Sequence, residues 1–260
     1  MSLVLLEEKN SIATLTFNHP DKLNAMTEAM GEAMQSRVEE IKQKPNLRVI
    51  IIQGAGRAFS AGGDLQFLLD HQKNTPEENT QKMLAFYSKF LALREIPVPT
   101  LAKIHGHAIG AGLLVSLACD LRYASQESKL AVNFAKLGLS SGMGGLYTLS
   151  RLAGMARAAE LAFTGKTILA SEAQEIGLIN QVYPAEKLDQ EVQKIAESIA
   201  ANGPIALKII KKGLQMAPEA SLEKILNYEA QGQAQCYASE DLKEGIEAIR
   251  AKRSPNFKNR

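Results

Sequence analysis

The sequence contains few of the residues that build crosslinked or aromatic-rich proteins. Of its 260 residues only two are cysteine and none is tryptophan, and aromatic residues make up 5%. Cys119 and Cys236 are too few for a disulfide framework or a cysteine-based zinc site. Sparse cysteine is typical of a reducing compartment, and Glu7 and Glu8 interrupt any signal-peptide pattern. We therefore expect a cytoplasmic protein.

Long apolar runs and charge of one sign are also absent. No run approaches the roughly 20 apolar residues that span a bilayer. The net charge of +2 predicts neither a nucleic acid nor a membrane surface as partner. The basic residues after position 251 are interpreted as a solvated tail. The 45% hydrophobic and 22% charged residues are ordinary for a globular protein with a sizeable core.

The first half of the chain alternates strands, glycine loops and helices. The pattern predicts a hairpin of strands at Leu3–Leu6 and Ile12–Phe17, and a buried strand at Val49–Gln53. Thr27 is positioned to cap a helix that runs to Lys44 before Pro45. Repetition of this order indicates an α/β fold with parallel strands, whose functional loops lie at the carboxyl ends of the strands.

The second half becomes helical after about Gly142. Ser171 and Gln174 have the spacing of a capping box, and Gly177 follows as a helix stop. From Ala185 onward only helical patterns occur, with breaks at 202–204 and 217–221. This C-terminal part is interpreted as a docked helical layer.

Two motifs suggest chemistry that the rest of the sequence does not support. The segment "GLSSG" at 138–142 matches the nucleophile elbow of α/β-hydrolases, but every histidine precedes Ser140, so the required order fails. His105 and His107 are spaced as on one face of a strand, yet no cysteine or acidic cluster accompanies them. A structural role is favoured for both histidines. The loop "GAGRAFSAGGD" has no nucleotide-binding pattern either.

The remaining candidates for a catalytic role are backbone N–H groups. The loops Ser60–Asp64 and Gly106–Gly112 each end a strand and enter a helix. The first N–H groups of a helix are unpaired and lie at its positive end, and small residues let a carbonyl approach them. Two such N–H groups aimed at one point make an oxyanion hole, which can stabilise an enolate or a tetrahedral anion.

These loops and most of the chain resemble the enoyl-CoA hydratase/isomerase (crotonase) superfamily. Seven short segments match the superfamily. Each match is weak by itself, but the order in which the segments occur along the chain is specific for this superfamily. The pieces are "NHPDKLNAM" (18–26), "AFSAGGDL" (58–65), "PVPTLAKIHGHAIGAGLLVSLACDLRYAS" (97–125), "LGLSSGMGG" (137–145), "FTG" (163–165), "ASEAQEIGLIN" (170–180) and "EGIEAIRAKRSPNF" (244–257).

The resemblance implies a crotonase-like spiral of ββα units at 1–200 with a CoA-thioester site, and a helical region at 201–260 that forms homo-trimers or hexamers. It implies an acyl-CoA thioester as ligand, with coenzyme A as part of the substrate and no other cofactor and no metal. It assigns the oxyanion hole to the backbone N–H groups of Gly63 and Ala111. Other residues implied to bind substrate are Lys22, Leu23, Ala61, Gly62 and, from a neighbouring subunit, Phe257.

The sequence departs from the hydratase pattern at the acid/base positions. The resemblance places the two hydratase glutamates at Leu114 and Phe134, and an aspartate of some isomerases at Gly142. Hydration needs one group to activate water and another to protonate the α-carbon, and leucine and phenylalanine can do neither. We therefore predict an enzyme that is not an efficient hydratase, with Leu114 and Phe134 lining an apolar acyl pocket.

Three classes of function are compatible with the sequence. One uses the oxyanion hole alone, as a decarboxylase, thioesterase or isomerase, although superfamily decarboxylases carry His or Tyr where this chain has Gly63 and Ser141. Another is a true hydratase or isomerase with an acid placed elsewhere. The third is a non-catalytic acyl-CoA binder. Polar side chains predicted near the pocket are Ser140, Ser141, Asn133, Tyr87 and His71.

Overall fold

The computed structural model describes residues 2–260. Two of its α-helices begin at prolines, Pro76 and Pro204, where a missing N–H costs nothing. The strands are β1 Val4–Lys9, β2 Ile12–Phe17, β3 Val49–Gly54, β4 Thr100–Ile104, β5 His107–Ile109, β6 Leu121–Ser125, β7 Lys129–Ala131, β8 Thr167–Leu169 and β9 Gln181–Tyr183. The helices are α1 Glu28–Lys42, α2 Leu65–Asp70, α3 Pro76–Leu91, α4 Ala111–Leu117, α5 Gly145–Thr164, α6 Ala170–Glu175, α7 Ala185–Ala200, α8 Pro204–Met216, α9 Leu222–Tyr237 and α10 Glu240–Arg250.

The strands form two sheets. The larger has the order β1-β2-β3-β4-β6-β9, with β1 antiparallel to β2 and every later pair parallel. The smaller has the order β5-β7-β8. Parallel sheets are usually covered on both faces. Strand β3 is covered by α7 on one face and by α1 on the other. Val49 and Ile51 pack in the cluster with α7, while Ile50 and Ile52 pack in the main core with α1. The α/β fold with mostly parallel strands is therefore confirmed.

Local signals in the sequence set several of these boundaries. Thr27 caps α1, because its hydroxyl accepts a hydrogen bond from Met30 N at 3.2 Å, as predicted. Asn10 turns the first hairpin with a φ of 58°, a left-handed conformation that asparagine tolerates better than most residues. Strand β1 is longer than the predicted Leu3–Leu6, since its polar outer half still pairs with β2.

The capping box predicted at Ser171 and Gln174 is wrong. Helix α6 begins at Ala170, its N-cap is Leu169, and no side chain caps it. Ser171 therefore lies inside the first turn. The Gln174 side chain accepts from Val182 N at 3.2 Å and so ties α6 to β9. Gly177 ends the segment with a φ of 83°, as predicted.

The C-terminal part is helical from α7 to α10. The predicted break at 202–204 separates α7 from α8, and the predicted break at 217–221 separates α8 from α9. Many large apolar side chains on these helices are exposed in the single chain, including Leu214, Leu222 and Ile249. The predicted trimer or hexamer stays a prediction. Within residues 2–260, none of the helices combines the length and the apolar character that crossing a bilayer demands.

Candidate active site

A cavity of about 270 Å³ lies where the two glycine loops meet helices α2 and α3. Its wall is mostly apolar, with aromatic and aliphatic side chains from α2, α3 and the segment 133–143. The lining residues are Ala61, Gly62, Gly63, Leu65, Phe67, Leu68, Met83, Phe86, Tyr87, Gly110, Ala111, Asn133, Phe134, Leu137, Leu139, Ser140, Gly142 and Met143. A concave, largely apolar site with a few polar groups is the usual form of a small-molecule site.

Strand-like pairing holds the two glycine loops together. Ser60 of the first loop forms a β-bridge with Ala108 of the second. Gly63 forms another β-bridge with Met26 of the 18–26 segment. Gly62 has a φ of 93°, and a Cβ on it would lie 2.6 Å from the carbonyl oxygen of Ile109. Only glycine supplies both the conformation and the space. The same Cβ position lies 3.5 Å from Ala111 N, so the backbone of the first loop lies directly beside the start of α4.

The backbone N–H groups of Gly63 and Ala111 border this cavity without internal partners. Ala111 is the first residue of α4, and its N–H therefore precedes the helical hydrogen bonds. At Gly63 the bridge to Met26 uses the carbonyl of Gly62 and the N–H of Asp64 instead. Within residues 2–260 neither N–H donates to a protein acceptor. Gly63 and Ala111 both line the cavity, and their role as an oxyanion hole stays a prediction.

Gly112 packs closely against the first glycine loop, and this contact supports a prediction. A Cβ on Gly112 would lie 2.7 Å from the carbonyl oxygen, Cβ and Oγ of Ser60. We expect Gly112→Ala to lower the free energy of unfolding by about 1–3 kcal/mol, because the crowded backbone must shift. Urea unfolding measures this. Gly203→Ala is the control, since a Cβ there meets no atom within 4 Å, and an equal cost in both variants would contradict the prediction.

Lys22 and Leu23 lie on a loop next to the cavity and do not line it. Leu23 has a left-handed φ of 51°, and its carbonyl accepts from Ala61 N at 2.9 Å. Lys22 Nζ lies 3.5 Å from Asp64 Oδ2. These contacts attach the 18–26 segment to the first glycine loop. The predicted role of Lys22 and Leu23 in binding coenzyme A stays a prediction.

Asp64 has a structural role at the start of α2. Its Oδ1 accepts from Gln66 N at 3.0 Å and from Phe67 N at 3.1 Å, which caps α2. The hydrogen bond from Phe67 N, followed by the charge of Lys22, holds the pKa of Asp64 below its ordinary value. Its stabilising effect is therefore present above the unfolded-state pKa and lost as the pH falls through the folded-state pKa. Asp64 does not line the cavity.

Apolar residues occupy the two positions where the resemblance places glutamates. Phe134 forms part of the cavity wall, with its ring tip about 4 Å from the Cβ position of Gly110. Leu114 is 2% exposed and lies behind the wall against Gly145. Among residues 2–260, those lining the cavity include no Asp, Glu, His, Lys or Arg. The ionisable side chain in the wall is Tyr87, whose pKa is raised by burial.

The two predicted serines differ in position. Ser140 lines the cavity at its exposed rim. Ser141 lies beside Leu114, since both side chains come within 2.5 Å of the Cβ position of Gly145. No histidine lines the cavity within residues 2–260. His71 lies next to the wall, where its Nδ1 is 2.7 Å from the carbonyl oxygen of Phe67.

Other predicted residues lie elsewhere. The Phe257 carbonyl accepts from Arg48 at 2.6 Å, and its ring packs on Gly245 of α10. Phe257 is thus held by its own chain and does not line the cavity. His105 is 3.0 Å from the Gly56 carbonyl oxygen, and His107 is exposed. Within residues 2–260 no group of three or more His, Cys, Asp or Glu side chains could hold a metal ion.

Most of the wall opposite the glycine loops was not predicted from the sequence. Met83 and Phe86 of α3 face the cavity, as do Phe67 and Leu68 of α2. The Phe67 and Phe86 rings stack with their centroids 4.8 Å apart, which joins the two helices. The spacing of Met83, Phe86 and Phe90 along α3 is a detectable signal for its apolar face. Which cavity that face lines depends on the tertiary structure.

Comparison with known proteins identifies the family. The model of the enoyl-CoA hydratase/isomerase family matches residues 7–260, and the chain belongs to this family. Its mixed α/β spiral with C-terminal helices is the crotonase fold. A crystal structure of an enoyl-CoA hydratase from Bacillus anthracis superposes with a TM-score of 0.93 at 32% identity, covering 99% of this chain and 100% of that one.

Curated relatives carry more than one activity. The chain is 32% identical over 259 residues to a short-chain-enoyl-CoA hydratase from Clostridium acetobutylicum, covering 99% of this chain and 98% of that protein. It is also 32% identical over 258 residues to a 1,2-epoxyphenylacetyl-CoA isomerase from Escherichia coli, with coverage of 99% and 98%. The family therefore identifies an enzyme class acting on CoA thioesters, and these names do not separate hydration from isomerisation.

Proposed function

We propose that this protein binds an acyl-CoA thioester with the thioester carbonyl oxygen between the N–H groups of Gly63 and Ala111, and stabilises the enolate that forms there. The observation that carries the proposal is the pair of unpartnered N–H groups on adjoining loops at one cavity. In a cavity shielded from water, preorganised donors stabilise developing negative charge more than water does. Coenzyme A enters as part of the substrate.

The same proposal includes poor hydration of enoyl thioesters. Adding water across a double bond needs a base for the water and an acid for the α-carbon. Phe134 and the buried Leu114 offer neither, and no carboxylate lines the cavity within residues 2–260. The predicted reactions are those in which the stabilised enolate is the main requirement, such as an isomerisation or a lyase reaction on the acyl chain.

Hydration of crotonyl-CoA tests this proposal. We expect a rate about 10²–10⁴-fold below that of the short-chain-enoyl-CoA hydratase from Clostridium acetobutylicum, which is the range that one general acid or base contributes. Loss of the conjugated enoyl absorbance measures the rate at high enzyme concentration. A panel of malonyl-, methylmalonyl-, enoyl- and hydroxyacyl-CoA thioesters, analysed by mass spectrometry, then identifies the reaction that proceeds.

The crotonyl-CoA experiment has a defined contrary outcome. Hydration as fast as in the Clostridium relative, and lost in Gly63→Pro, would show a true hydratase with an acid placed elsewhere. Tight binding of thioesters with no turnover of any panel member would support a non-catalytic binder instead. Equilibrium binding of butyryl-CoA by calorimetry separates this second outcome from an inactive preparation.

A further inference from the structure

Two neutral polar side chains in the cavity wall have no internal hydrogen-bond partner. They are Tyr87 of α3 and Asn133 of the loop before Phe134. Within residues 2–260 neither the Tyr87 hydroxyl nor the Asn133 amide makes a hydrogen bond to another protein group, and both residues are half-buried. Both side chains line the cavity, so their hydrogen-bonding groups are free to bond a ligand that enters it.

The Tyr87 hydroxyl lies against Gly142. A Cβ on Gly142 would be 2.6 Å from the hydroxyl oxygen and 2.8 Å from Cζ. The phenol therefore occupies the space that a side chain at position 142 would need. The Tyr87 ring packs edge-on against Phe86 at 6.4 Å between centroids, which positions the hydroxyl. Burial raises the pKa of Tyr87, so the phenol keeps its proton at neutral pH and can donate a hydrogen bond to a ligand.

The Asn133 amide lies at the start of α4. Its Oδ1 is 3.2 Å from the Cβ position of Gly110, the residue that precedes Ala111. Gly110 can take its φ of 52° without strain, and its lack of a side chain leaves the amide space at the cavity. A side-chain amide both donates and accepts. Asn133 therefore adds a neutral hydrogen-bonding group close to the Ala111 N–H.

The rest of the wall restricts the kind of polar group that fits. No cationic side chain lines the cavity within residues 2–260. A carboxylate on the acyl chain would lose its hydration without a countercharge, which is costly. A hydroxyl or carbonyl group costs far less to bury when it is hydrogen-bonded. Tyr87 and Asn133 supply neutral donors and acceptors of that kind.

We propose that the acyl group of the natural thioester carries an uncharged oxygen function, a hydroxyl or a carbonyl, and that Tyr87 and Asn133 are the specificity-determining residues that bind it. This inference rests on the proposed function, because it needs the acyl chain to occupy this cavity. It goes further by naming the substrate class. An acyl chain without an oxygen substituent would leave both polar groups without partners, and a carboxylated one would lack a countercharge.

Calorimetric affinities for matched thioesters test the inference. The probes are butyryl-, 2-hydroxybutyryl-, 3-hydroxybutyryl-, acetoacetyl- and malonyl-CoA. We expect at least one hydroxylated or keto thioester to bind about tenfold more tightly than butyryl-CoA, the order expected of a neutral hydrogen bond and of the unsatisfied groups left without it. We expect Tyr87→Phe or Asn133→Leu to remove most of this preference, because the affinity for the oxygenated thioester falls more than the affinity for butyryl-CoA.

The control is Tyr147→Phe, which deletes the same hydroxyl outside the cavity, where Tyr147 bonds to Glu219. The preference should persist in it. Equal affinity of the unmodified protein for butyryl-CoA and every oxygenated probe would overturn the inference, as would a preference unchanged in both cavity variants. Tightest binding or efficient turnover of malonyl-CoA would overturn it too.

Failure of the proposed function can be distinguished from failure of the specificity inference. If no thioester bound more tightly than coenzyme A itself, the acyl chain would not occupy this cavity, and both proposals would be wrong. If butyryl-CoA bound in the cavity with a polarised thioester carbonyl but showed no disadvantage against oxygenated probes, the oxyanion hole would stand and the specificity inference alone would fall. Carbon-13 spectra of labelled butyryl-CoA distinguish these results.

Discussion

Replacing Ala111 by proline should lower turnover of the processed thioester by about 10²–10³-fold, the usual effect of removing one oxyanion donor. The substitution deletes the N–H and nothing else that the fold uses. Ala111 is the first residue of α4, a position where proline is favoured. Its N–H has no partner within residues 2–260, and the preceding residue is the flexible Gly110. The main loss should therefore be in catalysis.

A carbon-13 NMR measurement on a bound thioester tests the same N–H groups without depending on the reaction. Hydrogen bonds from both N–H groups should polarise the thioester carbonyl of bound [1-¹³C]butyryl-CoA and move its carbon-13 resonance downfield. This shift should shrink in Ala111→Pro and in Gly63→Pro. Circular dichroism and the unfolding midpoint show whether each variant keeps its fold.

Gly63→Ala is the matched control for the first loop. It keeps the N–H, and its new Cβ would lie 3.8 Å from the nearest atom, in Leu68, which is an ordinary contact. We expect near-normal turnover and a normal carbon-13 shift. If Gly63→Ala were as damaging as Gly63→Pro, the loop's shape would matter rather than its N–H group. Unchanged turnover in both proline variants would exclude the oxyanion hole.

Replacing Asp120 by alanine should lower the free energy of unfolding by about 3–5 kcal/mol, because it leaves a buried charge unpaired. Lys211 of α8 is 6% exposed, and its Nζ lies 2.8 Å from Asp120 Oδ2 and 2.8 Å from the Val98 carbonyl. Asp120 also accepts from the N–H and hydroxyl of Thr100. This cluster joins the C-terminal helices to strand β4, and chemical denaturation measures its contribution.

Asp189→Ala is the control for the ion pair. Asp189 pairs with Lys103 but is 83% exposed, and an exposed pair contributes at most about 1 kcal/mol. If Asp120→Ala fails to fold, the double variant Asp120→Ala/Lys211→Met should recover a folded protein, since it removes both charges. Equal losses in Asp120→Ala and Asp189→Ala would contradict the prediction.

Much of the fold was predictable because its signals are local. The alternation in β2, the apolar run of β3 and the Thr27 cap each depend on neighbouring residues. The failure at Ser171 has the same origin. A serine and a glutamine at the right spacing satisfy the capping pattern, but α6 begins two residues earlier because β8 ends at Leu169. Tertiary context decided that boundary.

The candidate site was predictable in part. The two glycine loops and Ala61, Gly62, Gly63 and Ala111 lie together at one cavity. Ser140 and Phe134 line it, whereas Leu114 and Ser141 lie one layer behind. The wall from α2 and α3 could not be placed, because it depends on how these helices pack against segments far away in the sequence. No local pattern encodes that docking.

The sequence by itself determined the α/β order of elements, the paired glycine loops and the apolar residues at Leu114 and Phe134, since each depends on residue type and short-range spacing. The tertiary structure alone decided that Tyr87 fills the space beside Gly142, that Asn133 lies beside Gly110, and that Lys211 is buried against Asp120. Each of these last three contacts joins parts of the chain that are far apart in the sequence. They form only when distant segments pack together, so periodicity along the chain carries no trace of them.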